Sequence, residues 1–115
     1  EKDMGFTRYW VRPAELDARA FALFSRACQE ACEHLADDLF LPRFTNDEVA
    51  FDGFPGCEPF VIERMSSNAL RENRLRENGV FEYCKTQHLP YDRAVALCLD
   101  LLKQHFPAVE VPPPS

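Results

Sequence analysis

Phe21, Phe24, Cys28, Ala31, Leu35 and Leu39 recur at steps of three and four residues, while Arg19, Arg26, Glu30, Glu33 and Asp37 take the positions between them. This spacing gathers the apolar side chains on one face of a helix and leaves the charges on the others. Asp17 opens the pattern and Pro42 closes it, because the residue before a proline is pushed out of the helical region. The spacing therefore predicts a helix from about 17 to about 39. Its apolar stripe needs a partner layer, which the rest of the chain must supply.

A second helix is predicted from about 90 to about 106. Pro90 suits a first helical turn, Asp92 lies near the exposed amide donors there, and Pro107 ends the segment. Its stripe of Tyr91, Val95, Cys98 and Leu102 is widened by Ala94, Leu97, Leu99 and Leu101, broad enough for nearly complete burial.

The remaining segments alternate in the manner of strands. Residues 5–12 place Phe6, Arg8 and Trp10 on one face and Thr7, Tyr9 and Val11 on the other. After the turn residues Thr45-Asn46-Asp47, strands are predicted at 48–54 and 59–65, separated by a loop containing Gly53, Pro55 and Gly56. A further strand at 80–86 sets Val80, Glu82, Cys84 and Thr86 opposite Phe81, Tyr83 and Lys85. The polar segment 66–79 holds Leu-Arg-Glu-Asn twice at a five-residue offset, which stacks nothing on one helical face. It reads as a mobile loop or a marginal helix. Residues 108–111 add a short edge strand, and 112–115 form a frayed tail.

The order β-α-β-β-β-α, with short connections, predicts a single α+β domain over 1–115. One antiparallel sheet of four to five strands would carry both helices on one face. The other face must then be solvated, covered or used. Aromatic residues on both sides of the first strand argue against simple solvation.

Composition narrows the function classes. The 115 residues include ten Phe and carry a formal charge of −6, which disfavours nucleic acid and anionic membrane as partners. The stretch 71–76 is the one locally basic candidate, and nucleic-acid binding would need Arg64, Arg71, Arg74 and Arg76 to form one patch. No apolar run reaches the ~20 residues of a spanning helix, and residues 1–5 do not resemble a signal-peptide core. Five cysteines fit no secreted framework. They read as buried thiols in a reducing cytoplasm, without disulfide, cofactor or structural metal. A Cys28/Cys32/His34 site fails because His34 lies about 200° round the helix from Cys32.

No Gly-rich phosphate loop, GxSxG, HExxH or zinc-ribbon pattern occurs. Three blocks stand out: Gly5-Phe6-Thr7-Arg8-Tyr9-Trp10; Phe51-Asp52-Gly53 followed by Cys57-Glu58-Pro59-Phe60; and Phe81-Glu82-Tyr83-Cys84-Lys85-Thr86 followed by Pro90-Tyr91-Asp92. Together they resemble a family of uncharacterised small proteins with the pattern GFTHYW, FNG, HExF and FCKTARKPYD. The resemblance implies no activity. Arg8 and Cys57 stand where the pattern has histidines, Asp52 replaces its Asn, and Gln87-His88-Leu89 replaces a basic tripeptide. Any proton chemistry resting on those histidines is absent from this chain.

The candidate site residues are Glu58, Lys85, Thr86, Tyr91 and Asp92, grouped at a junction where a strand runs out and a helix begins. Lys85 can pair with Asp92 or Glu58, and Thr86 or Tyr91 can offer a hydroxyl. The competing reading is structural, with Thr86 closing the turn, Asp92 supporting the helix start and Tyr91 packing beneath it. Two functions follow. The leading expectation is an intracellular protein-binding or self-assembling domain that uses an open sheet face. The alternative is a small enzyme or small-ligand binder centred on those five residues.

Overall fold

The structure, a computed structural model, describes residues 6–115. It is an α+β fold with strands β1 (Thr7–Arg12), β2 (Phe40–Phe44), β3 (Glu48–Asp52), β4 (Phe60–Glu63), β5 (Leu75–Arg76) and β6 (Gly79–Lys85), and helices α1 (Ala18–Ala31) and α2 (Asp92–His105). Gly5, the predicted start of the first strand, lies outside the described residues. The Asp17 carboxylate accepts the Ala20 amide at 3.0 Å and caps α1.

The expected single sheet of four to five strands is corrected. There are two antiparallel three-stranded sheets, ordered β1-β6-β5 and β2-β3-β4. The division arises where β6 and β4 would have joined. β5 covers only Gly79 and Val80 of β6. Pro59, at the entrance to β4, has no amide to donate to a ladder. Side chains close the seam instead. The Glu58 carboxylate accepts the Lys85 amide at 2.7 Å. At the other end, the buried Arg12 guanidinium donates to the main-chain oxygens of Glu63 and Arg64.

β2 is a strand that the sequence reading omitted. It tolerates Pro42 because it is an edge strand, with a register break between Phe40 and Arg43 and a left-handed Leu41 at φ 51°. The helix expected to reach Leu39 stops at Ala31 and continues as a 3-10 segment, Glu33–Asp38. The tighter winding keeps Cys32 and Leu35 on one side, with the Leu35 amide bonded to the Cys32 carbonyl at 2.9 Å. Segment 66–79 holds two 3-10 turns and β5. Beyond α2, Val11 and Glu110 exchange two backbone hydrogen bonds, as do Thr7 and Ser115.

One apolar cluster unites the layers. Phe21, Phe24 and Cys28 of α1 and Val95, Cys98 and Leu102 of α2 share it with Trp10 and Cys84 of one sheet and Val49, Phe51, Phe60 and Ile62 of the other. The helices also pack on each other. The molecule measures 34 × 32 × 21 Å. Its shortest dimension fits one helix layer of about 10–12 Å on one sheet layer of about 10 Å. On the sheet faces turned away from the helices, Tyr83 and Phe40 are exposed, Tyr9, Phe81 and Val61 are half-buried, and Ala50 is buried.

Candidate functional site

The five candidate residues do converge. β6 ends at Lys85, and Gln87 and His88, both left-handed at φ 53° and 60°, turn the chain into α2. The Phe6 ring stacks on His88 with centroids 3.5 Å apart, bracing this turn against β1. Asp92 then meets Arg8, whose Nε and Nη2 donate to the two carboxylate oxygens at 2.7 and 2.9 Å. The Thr86 hydroxyl donates to Asp92 as well. Burial alone would raise the Asp92 carboxyl, but the hydrogen bonds from Arg8 and Thr86 and the Arg8 charge outweigh it and hold the group below its ordinary value.

Tyr91 is fully buried. Its hydroxyl donates to the Glu58 carbonyl at 2.6 Å, and its ring lies so close to Gly53 that a Cβ there would sit 2.5 Å from the ring. Burial pushes the phenol well above its ordinary range. The neighbouring Cys84 thiol, also buried, is pushed up to about 12 by desolvation. Neither group is positioned to ionise near neutrality.

This geometry divides the five residues by role. Thr86 and Tyr91 are closed off from solvent, and the Asp92 carboxylate is occupied by Arg8 and Thr86. Asp92 thus pairs with Arg8 and not with Lys85, and Glu58 meets Lys85 through the backbone amide. Only Glu58 and Lys85 face open space, a cleft of about 360 Å³ that they share with Gly56, Cys57, Gln87 and Leu89. Arg8, the third member of the ion-paired group and contributed by β1, was singled out in the sequence as a departure from a histidine.

A second buried polar group needed the tertiary structure to interpret. Glu82, 3 % exposed, points inward between Val80 and Cys84. Its carboxylate accepts Trp10 Nε1 at 2.9 Å, Ser66 Oγ at 2.5 Å and Asn68 Nδ2 at 3.0 Å, and lies 3.7 Å from the Arg12 guanidinium. Each oxygen has at least one donor, so the group anchors the seam.

The outward face is different in character. Across β1 and β6, Thr7 faces Lys85, Tyr9 faces Tyr83 and Val11 faces Phe81. The rings of Tyr9, Phe81 and Tyr83 form a row with centroids 6.1 and 5.8 Å apart. The Arg74 guanidinium lies 4.7 Å over Tyr83 and that of Arg76 lies 4.6 Å over Phe81. On the second sheet, Val49, Phe51, Phe60 and Ile62 point to the core, so alternation turns Glu48, Asp52, Val61 and Glu63 to the other side, where Ala50 is also placed but is buried. Phe40 is 40 % exposed at its edge. Pro59 and Val61 border two clefts, one reaching Tyr83 and Arg74 across the seam and extending in to Trp10 and Glu82, the other reaching Phe40 and Arg43. Arg64 does not extend the basic pair, being held by Glu15 and Asp47 at 3.3 and 3.8 Å.

All five thiols are free, and Cys32 and Cys98 lie 3.8 Å apart in the core. Among the described residues, no group of three or more His, Cys, Asp or Glu side chains is placed to hold a metal ion, and no helix is long and apolar enough to cross a membrane. Comparison of the chain with protein-family models, with curated proteins and with solved structures returned no match.

Proposed function

We propose that this chain is a binding domain that receives a protein surface on its open sheet face. The observation that supports this reading is the outward-facing row of Tyr9, Phe81 and Tyr83, exposed at Tyr83, with two guanidiniums laid on its rings. Tyrosine and arginine, rigid or stacked, are the side chains that dominate protein interfaces. The free, buried thiols favour a reducing compartment such as the cytoplasm.

The small-ligand reading draws on one observation, the cleft beside Glu58 and Lys85. It is weaker because Thr86, Tyr91 and Asp92 bond to one another and to the scaffold, leaving two of five residues to meet a ligand.

A photo-crosslinking amino acid at position 83, expressed in the source cells, tests the proposal. An identical probe at position 23, exposed on α1, is the control. Protein adducts specific to position 83 are expected. Their absence, or equal labelling at both positions, would refute the reading.

A further inference from the structure

The open face is electrically two-sided. The β1-β6-β5 half carries Arg76 and Lys85 on its strands and Arg74, whose guanidinium lies over Tyr83, in the 3-10 turn that also holds Glu72; Glu77 lies in the turn between β5 and β6. The β2-β3-β4 half carries Glu48, Asp52 and Glu63 against Arg43, while Arg64, at the edge of the same cleft, is taken up by Glu15 and Asp47. Moreover, Glu48 and Glu63 are direct cross-strand partners. Like charges in that position oppose each other. Arg43 reaches Glu48 at 3.0 Å, while Glu63 is bonded only to the amide and hydroxyl of Ser67. An open cleft of about 570 Å³ lies beside both carboxylates. The acidic half is thus arranged to receive cations, and the basic half of the same face presents them.

Resting on the reading of this face as a binding surface, we infer that its occupant is a second copy of this chain. The copies pack sheet to sheet about a two-fold axis, so that the basic half of each meets the acidic half of the other. A two-fold contact uses one patch twice, and a patch with basic and acidic halves is self-complementary under that symmetry. The size agrees. The long dimensions of the molecule, 34 and 32 Å, cap the face at on the order of 1,000 Å², which leaves room for the roughly 800 Å² per partner of a stable interface. The pairing also buries the aromatic row and turns a two-layer molecule into a four-layer sandwich with sheets about 10 Å apart.

Sedimentation velocity over a concentration series tests this with two variants, Arg74→Glu/Arg76→Glu and Glu48→Lys/Glu63→Lys. The native chain is expected to dimerise, less so at high salt. Each variant alone sets like charges against each other at both contacts and should be monomeric. Mixed in equal amounts, the two present opposite charges at both contacts, and the dimer should return. Circular dichroism and thermal melting check that each variant folds. If either does not, Arg76→Ala and Glu63→Gln replace them, each expected to weaken the dimer by at least about tenfold. A monomeric native chain, a dimer indifferent to the variants, or a mixture that stays monomeric would overturn the inference. A monomer that still yields adducts with a different protein at position 83 would separate the outcomes: the face binds, and self-pairing is wrong.

Discussion

Replacing Tyr91 by Ala removes a fully buried ring wedged between Gly53 and Cys84, together with the hydroxyl that serves the Glu58 carbonyl at 2.6 Å. Truncating a buried aromatic ring costs about 3–5 kcal/mol, set by how far the cavity collapses. Collapse is limited here, because Gly53 has no side chain to move into the space and its backbone is held by the Asp52 carboxylate at 2.7 Å. The lost hydroxyl adds about 1 kcal/mol, so Tyr91→Phe isolates that smaller part. Lys85→Ala removes an exposed side chain and keeps the backbone amide that bonds Glu58, so it should cost less than about 0.5 kcal/mol. Urea denaturation of the three variants, at matched m values, measures the series. The expected order is Tyr91→Ala far above Tyr91→Phe, with Lys85→Ala near the native value. If Lys85→Ala proves as damaging as Tyr91→Ala, the lysine belongs to the scaffold and the division of the junction into architecture and open cleft is mistaken.

Gly53→Ala forces the Tyr91 ring to shift and should cost about 1–3 kcal/mol; in the Tyr91→Ala background that cost should largely vanish, read as a non-additive double-mutant cycle. Asp92, held below its ordinary value in the folded state, adds stability that is present above its unfolded value near 4 and is lost as pH falls through the lower, folded value. Asp92→Asn should therefore flatten the stability profile below about pH 4, and a profile parallel to the native one would contradict the ion pair. Iodoacetamide at mildly alkaline pH should modify Cys57, the one partly exposed thiol, in the native protein and all five after unfolding, counted by mass spectrometry. Rapid native labelling of Cys84 would mean that its burial is breached.

Periodicity carried much of the architecture. The apolar stripes of α1 and α2 are local patterns, and the alternation in β1 and β6 separates Trp10 from Tyr9 and Cys84 from Tyr83, because side-chain direction follows backbone repeat; packing then placed Trp10 and Cys84 in the core. The clustering of Glu58, Lys85, Thr86, Tyr91 and Asp92 was also legible, since a strand-to-helix turn holds four of them together in the chain.

What tertiary structure decided were the matters in which residues distant in sequence choose among partners. Asp92 could have paired with Lys85, seven positions away, or with Arg8, 84 positions away; the pairing of β1 beside β6 settled it for Arg8. Glu82 looked like one polar residue on an apolar face until Trp10, Ser66, Asn68 and Arg12 surrounded it. The edge strand β2 carries a proline and an exposed register break, so it has no periodic signature, and only its ladder with β3 defines it. The break into two sheets, and with it the basic and acidic halves of the open face, depends on side chains that seal a seam between segments some 25 to 50 residues apart. Local pattern fixes which way a side chain points, whereas the partner it meets is set by long-range packing that no single stretch of sequence encodes.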